Sequence, residues 1–148
     1  MRAGADPNLA DSLNRTALHH AINLSKASSD ASFEMEETLL RHGANPSSQD
    51  HRGRTPLHYA FVTIGNPFEY SHIDPVEVVT SLCSQKGCDV RVKDKWGSTA
   101  LHYAAQRGAQ VCALTLLKKG AEVDAVDEDG NTPLALALHA KHSGKEVF

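Results

Sequence analysis

Thr16-Ala17-Leu18-His19 returns as Thr55-Pro56-Leu57-His58 and as Thr99-Ala100-Leu101-His102, and a fourth copy, Thr132-Pro133-Leu134-Ala135, has lost the histidine. A second phrase precedes each copy. Gly4-Ala5-Asp6-Pro7-Asn8, Gly43-Ala44-Asn45-Pro46, Gly87-Cys88-Asp89-Val90 and Gly120-Ala121-Glu122-Val123-Asp124 each set their glycine 12 residues before the threonine. From threonine to the next glycine the distance is 27, then 32, then 21 residues. One half of the period is constant, and the other half absorbs every change in length. Self-similarity on a period of roughly 20–50 residues marks a stacked array, in which each unit buries its apolar face against its neighbours.

The local chemistry of a unit is helical. Each threonine can cap orphan N–H groups at a helix start, and Pro56 and Pro133 suit a first helical turn. After Thr99, Leu101, Ala104 and Ala105 recur at helical spacing, the small alanines allowing neighbouring first helices to approach closely. Val111, Leu114 and Leu117 predict the apolar stripe of a second helix. Gly120 suits a helix C-terminus that needs positive φ. Asp74-Pro75-Val76-Glu77 reads as cap, first turn and capping-box acid, so a new helix is expected there. Asp30 holds the equivalent place in the first unit, 13 residues before its glycine. Asp11, Asp50, Asp94 and Asp127 open the units in register as turn formers.

The third unit runs Asp94-Lys95-Trp96-Gly97-Ser98-Thr99-Ala100-Leu101-His102 through Leu116-Leu117-Lys118-Lys119-Gly120-Ala121. It resembles the ankyrin repeat, which starts D-x-x-G-x-T-P-L-H and ends L-L-x-x-G-A. The resemblance covers essentially the whole chain, and four anchored copies make it specific. It implies an all-α solenoid of stacked helix-turn-helix units, each opened by a β-turn or hairpin finger. Residues 1–10 are the tail of a preceding unit, 11–49, 50–93 and 94–126 are three repeats, and 127–148 are a partial fourth. Against the third repeat, the first carries 6 extra residues and the second 11, all expected between the two helices of the unit. The first insertion, Ser25 to Asp30, is polar and reads as a surface loop. The second, about Thr63 to Asp74, holds Phe68, Tyr70 and Ile73. These either fold back over the module's own helices or contact a partner, since insertions in such arrays often lie on the binding face. The incomplete units at both ends, with Leu134, Leu136 and Leu138 left uncovered, lead us to expect further repeats or domains of the same chain on either side.

Composition gives no reason to expect nucleic acid or membrane as partner. The net charge is −3, with 22% charged and 41% apolar residues. No apolar run reaches the length of a membrane span, and no signal-like apolar segment follows Met1-Arg2. Three cysteines argue against a disulfide framework. Cys83 and Cys112 hold apolar second-helix positions and Cys88 replaces the alanine of the Gly-Ala pair. They read as small buried thiols in a reducing, intracellular compartment, cytoplasmic or nuclear. Cys83 and Cys88 do not make C-x-x-C, so no zinc site is expected.

Nine histidines invite a metal or an acid–base reading. Three of them, His19, His58 and His102, are translated along the array, whereas a metal site needs convergence. The resemblance implies a structural role for these three, bonding backbone near the turn. His20, His51, His72, His139 and His142 fall at surface-type positions. No nucleophile elbow, phosphate loop, zinc-binding helix or paired carboxylates appear, so no catalytic residue, cofactor or metal is expected.

What remains is a surface. By the resemblance, such stacks bind partners through the fingers and the exposed side of the first helices. Arg52, Arg54, Lys95 and Arg107 are expected there around Trp96, Tyr59 and Tyr103, with Glu128 and Asp129 on the fourth finger. Phe68 and Tyr70 would join them if the insertion reaches a partner. Trp, Tyr and Arg are the types enriched in binding hot spots. The expected ligand is a protein or peptide segment, acidic against the middle units and basic near the fourth. The alternative is a targeting or regulatory segment of a larger protein. By the resemblance, such arrays stand beside kinase, acyltransferase, ubiquitin-ligase, ADP-ribosyl transferase and channel domains.

Overall fold

The computed structural model describes residues 4–25, 30–62 and 75–142. Its helices are α1 (Ala17–Ser25), α2 (Asp30–Arg41), α3 (Pro56–Tyr59), α4 (Val76–Cys83), α5 (Ala100–Arg107), α6 (Gln110–Lys118) and α7 (Pro133–His142). Among the described residues the one β feature is an isolated antiparallel bridge between Ala10 and Thr16. First helices form one row and second helices another: α1 packs on α2 and α3, α3 on α4 and α5, α5 on α6 and α7, and α4 on α6. Leu18, Ile22, Leu57, Val79, Leu82 and Leu116 line the space between the rows and are at most 1% exposed. Burial of each such side chain contributes about 1.5–3 kcal/mol. Ala104 is fully buried on α5, where its small side chain lets the neighbouring first helices close up.

Each unit begins with a turn held by its aspartate. The N–H groups of Asp11, Asp50, Asp94 and Asp127 donate to the carbonyl four residues on, at 2.9, 2.9, 2.9 and 3.0 Å. The carboxylates close the turn from the other side. Asp94 Oδ1, for example, accepts from the N–H groups of Trp96 at 3.0 Å and Ser98 at 2.9 Å. The turn needs a positive φ, supplied by Gly53 (73°), Gly97 (74°) and Gly130 (79°), and by Asn14 (60°) in the first finger. Asparagine enters this region more readily than other side-chain-bearing residues, which keeps the first finger in register without glycine. The fingers are then joined to one another. The N–H groups of His51, Lys95 and Glu128 donate to the carbonyls of Leu13, Arg52 and Trp96 at 2.9, 3.0 and 2.9 Å.

Helices α2 and α6 end alike. Ala44 N–H reaches Leu39 O at 3.0 Å and Gly43 N–H reaches Leu40 O at 3.1 Å, and Ala121 and Gly120 repeat the pair on Leu116 and Leu117 at 3.0 Å each. These crossed bonds require a left-handed residue just past the helix, hence the glycine. The second unit departs from this. Leu39 and Leu116 stand four residues before their glycine, while the equally buried Leu82 stands five before Gly87. One residue of extra length is therefore taken up after α4, where Cys88 N–H closes the turn on Gln85 O at 3.2 Å. Helix α4 begins at Val76, directly after Pro75. Asp74, Phe68, Tyr70, His72, residues 26–29 and residues 143–148 lie outside the described residues.

The apolar face of α6 differs from expectation. Val111, Leu114 and Leu117 are exposed, and Cys112 and Leu116 are buried instead. Two packing directions act on this helix, toward α5 and toward α4, and they select Cys112 and Leu116 with Ala109 and Ala113 beside them. Leu117 lines an open apolar groove with Ala113, Val123, Leu134 and Leu138.

Candidate functional site

The in-register histidines are the joints of the stack. Thr16, Thr55 and Thr99 each donate a backbone N–H to Nδ1 of His19, His58 and His102, at 3.0, 3.1 and 3.1 Å. The other ring nitrogen, Nε2, lies 3.0 Å from a carbonyl of the next finger: Arg54, Ser98 and Asn131 respectively. A backbone N–H can only donate and a carbonyl can only accept, so each ring is neutral with its proton on Nε2. All three rings are at most 1% exposed. Burial pushes the His19 and His58 imidazoles below their ordinary value, which agrees with the neutral form. With both nitrogens engaged, these rings have nothing left for a metal or a substrate.

The second carboxylate oxygen of each finger aspartate faces the residue after the histidine position. Asp11 Oδ2 accepts from Arg15 Nε and pairs with His20 Nε2, both at 3.0 Å. Asp50 Oδ2 accepts from the Tyr59 hydroxyl at 2.6 Å, and Asp94 Oδ2 accepts from the Tyr103 hydroxyl at 2.5 Å. Burial alone would raise the Asp50 carboxyl, but the bonds from Tyr59, Arg54 and Arg52 outweigh it and hold it below the ordinary value. Burial, reinforced by Asp94, pushes the Tyr103 phenol up to about 12. The fourth unit has Leu136 in place of the tyrosine and Ala135 in place of the histidine. Asp127 Oδ1 closes its own turn, and among the described residues nothing donates to its Oδ2.

These bonds redistribute the residues expected on the surface. Tyr59 is only 2% exposed and packs edge-on against the His19 ring, with centroids 4.7 Å apart. Tyr103 is half-buried and meets His58 in the same way at 5.8 Å. The aspartate draws each phenol back toward the finger, so Tyr59 is an internal residue and not part of the exposed face. Arg107 is half-buried, its Nη1 donating to Phe61 O at 2.7 Å. Arg54 lies over the Trp96 ring, its guanidinium carbon 5.1 Å from the centroid. That contact explains the position of the indole, which is still 39% exposed.

Arg52, Lys95, Glu128 and Asp129 are exposed, and among the described residues their side chains make no hydrogen bond or ion pair. Other cations are committed to backbone, Arg91 to Gly120 O at 2.9 Å and Lys93 to Val126 O at 3.1 Å. The structure thus gathers Arg52, Lys95, Trp96, Glu128 and Asp129 along three hydrogen-bonded fingers, and puts Tyr59, Tyr103 and Arg107 in the joints behind them. The open oxygen of Asp127 is a feature that the sequence reading did not pick out. Its signal is the change from tyrosine to leucine at position 136. No helix among the described residues is long and apolar enough to cross a membrane.

Comparison with known proteins matches this geometry. A family model for ankyrin repeats, three copies long, matches residues 70–146, and a single ankyrin-repeat model matches residues 13–51. The chain is 41% identical over 71 residues to the poly [ADP-ribose] polymerase tankyrase of Caenorhabditis elegans, covering 47% of this chain and 3% of that protein. It is 45% identical over 69 residues to the E3 ubiquitin-protein ligase Ufd4 of Drosophila melanogaster, covering 47% of this chain and 2% of that one. Protein glp-1 of C. elegans is 27% identical over 141 residues, which is 93% of this chain and 10% of that protein. The chain therefore spans a small part of the length of the relatives it matches. Aspartate-closed fingers, threonine–histidine joints and glycine-terminated second helices recur here under sequence models that cover most of the chain, which belongs to the ankyrin-repeat family.

Proposed function

We propose that this module holds a protein or peptide segment on its finger tips and on the adjoining first-helix face, with no chemistry of its own. The observation that carries this reading is the division of labour among the charged side chains. Arg15, Arg54, Arg91, Lys93 and Arg107 are spent on the scaffold. Arg52, Lys95, Glu128 and Asp129 have no partner among the described residues and stand on adjacent fingers, beside a half-exposed tryptophan. Ordered fingers present those groups at constant spacing, so little ordering entropy is lost when a ligand meets them. The ligand complementary to this row is acidic opposite Arg52 and Lys95 and basic opposite Glu128, Asp129 and the open oxygen of Asp127. Burial within the joints makes Tyr59 and Arg107 supports of this surface, with Tyr103 and Arg54 partly accessible at its edge.

Affinity capture tests the reading with wild type, Trp96→Ala and an Arg52→Glu/Lys95→Glu variant side by side. Partners held by the wild type and lost from both variants would share the row. In titration against such a partner, Trp96→Ala is expected to weaken binding by more than about 1 kcal/mol with the circular dichroism spectrum unchanged. Unaltered affinity would reject the surface. A second reading, a targeting or regulatory segment of a larger enzyme or channel, is favoured by the relatives above, where the chain matches 2–3% of a polymerase and of a ubiquitin ligase. Sequencing the full reading frame decides it.

A further inference from the structure

Glu36 is a carboxyl group inside the protein with no ion pair and no completed hydrogen bond among the described residues. It lies on α2, is 0% exposed, and among the described residues neither of its oxygens has a hydrogen-bond partner. The Ser81 hydroxyl on α4 lies close enough to favour the carboxylate a little, but it falls short of hydrogen-bond geometry with either oxygen. Among the described residues no cation acts on it. Glu37 adjoins it on α2 and carries the same charge. On α4, Glu77 stands one turn before Ser81 and is also acidic. On α1, His19 is bound to Thr16 and Arg54 O, and His20 is bound to Asp11. A cleft of about 280 Å³ opens between α2 and α4 beside it, lined by Glu37, Leu40, Arg41, Ser81 and Gln85. Arg41 is its one cation, and it makes no bond to Glu36.

We propose that Glu36 is a proton-operated latch on the joint between the first and second units. When protonated it lets α2 close toward α4, and when ionised it draws water in through the neighbouring cleft and loosens that joint. An unpaired carboxylate in such a place costs several times more than the neutral acid, because no cation or donor replaces its hydration shell. Burial outweighs the nearby Ser81 hydroxyl and, with Glu37 adding to it, pushes the carboxyl up to about 7 from an ordinary 4.5, so the change falls near neutrality. The sign follows from the raised value. The folded state keeps its proton where the unfolded chain has released one, so this group's stability is full below about 4.5 and is lost as pH rises through about 7.

The test is unfolding by urea from pH 4.5 to 8.5 for wild type and Glu36→Gln, read as the difference between the two. The buried histidines and finger aspartates are common to both and cancel. The advantage of the variant is expected to grow with pH, approaching tenfold per pH unit in the unfolding equilibrium constant at its steepest, roughly, and to level off above neutrality. Should Glu36→Gln fold poorly, Glu36→Leu carries the same expectation at pH 8. Hydrogen exchange, corrected for intrinsic rates, localises the effect. Between pH 6 and pH 8 the amides of α2 and α4 lose protection in wild type and keep it in the variant, while those of α5 and α7 are unchanged. Parallel pH profiles would overturn the proposal, as would loss of protection spread evenly over all helices.

Discussion

Replacement of His58 by alanine is expected to lower the free energy of unfolding by about 3–4 kcal/mol. The ring is 1% exposed and ties three elements together. It takes the Thr55 N–H on Nδ1 at 3.1 Å, gives its Nε2 proton to Ser98 O at 3.0 Å, and packs against the edge of Tyr103. Truncation leaves a donor and an acceptor without partners, each costing about 1–3 kcal/mol when buried, and opens a cavity the size of an imidazole. The loss is concentrated where the second unit meets the third, so the single unfolding transition is expected to broaden as the stack uncouples. Urea unfolding followed by circular dichroism measures both. A cost below about 1 kcal/mol would mean that water replaces the ring, and that the histidine is not the joint described above.

The same joints set the acid limb of the stability profile. His19 and His58 are held below their ordinary 6.5 by burial. Protonation would place a hydrogen on Nδ1 facing the threonine N–H, where two donors would meet. The depressed value means that the folded state resists a proton which the unfolded chain accepts. Their contribution is therefore complete above about 6.5 and is lost as pH falls below it. A His58→Gln variant should lose part of this acid dependence, whatever its stability at neutral pH.

Gly97→Ala is expected to cost about 3 kcal/mol, and Gly130→Ala no more than half as much. Both glycines have positive φ, 74° and 79°. A side-chain-bearing residue there costs about 1–2 kcal/mol in the backbone alone. At Gly97 a methyl group would also lie 3.1 Å from Glu128 N and 3.2 Å from Asp127 Cα, against rigid backbone of the next finger. At Gly130 it would meet nothing within 4 Å. Relief at Gly97 must push the fourth finger away and stretch the 2.9 Å bond from Glu128 N–H to Trp96 O. Glu128 and Asp129 would move from their place beside Trp96, so partner affinity should fall with Gly97→Ala and not with Gly130→Ala. Equal stabilities of the two variants in urea would show that the fingers are less tightly joined than their hydrogen bonds imply.

Much of the fold was legible because its determinants are local. Thr55 acts on His58 three residues away, Asp94 on Trp96 and Ser98 two and four residues away, and Gly43 on the helix just before it. Interactions of that reach leave residues at constant spacing, which is why the threonines, aspartates and glycines recur in register. The apolar face of α6 was not legible in the same way. Val111, Leu114 and Leu117 have helical spacing, but so do Cys112 and Leu116, and only the positions of α4 and α5 choose between them.

The candidate site shows the same boundary. Sequence alone marked Arg52, Lys95, Trp96, Glu128 and Asp129 as finger residues, and it also marked Arg54, Tyr59, Tyr103 and Arg107 as their companions. Tertiary structure separated the two groups, because a side chain is free or spent according to what lies across the joint. Arg107 meets a carbonyl 46 residues away, and His19 meets one 35 residues away. The fate of Glu36 was decided in the same way. Nothing in its own stretch distinguishes it from Glu34 or Glu37, which are exposed on the same helix. The repeat, its period and its capping chemistry were set by the sequence through short-range sterics and hydrogen bonds. Which charges face solvent, and which carboxyl is sealed inside, followed from burial and pairing between segments distant along the chain.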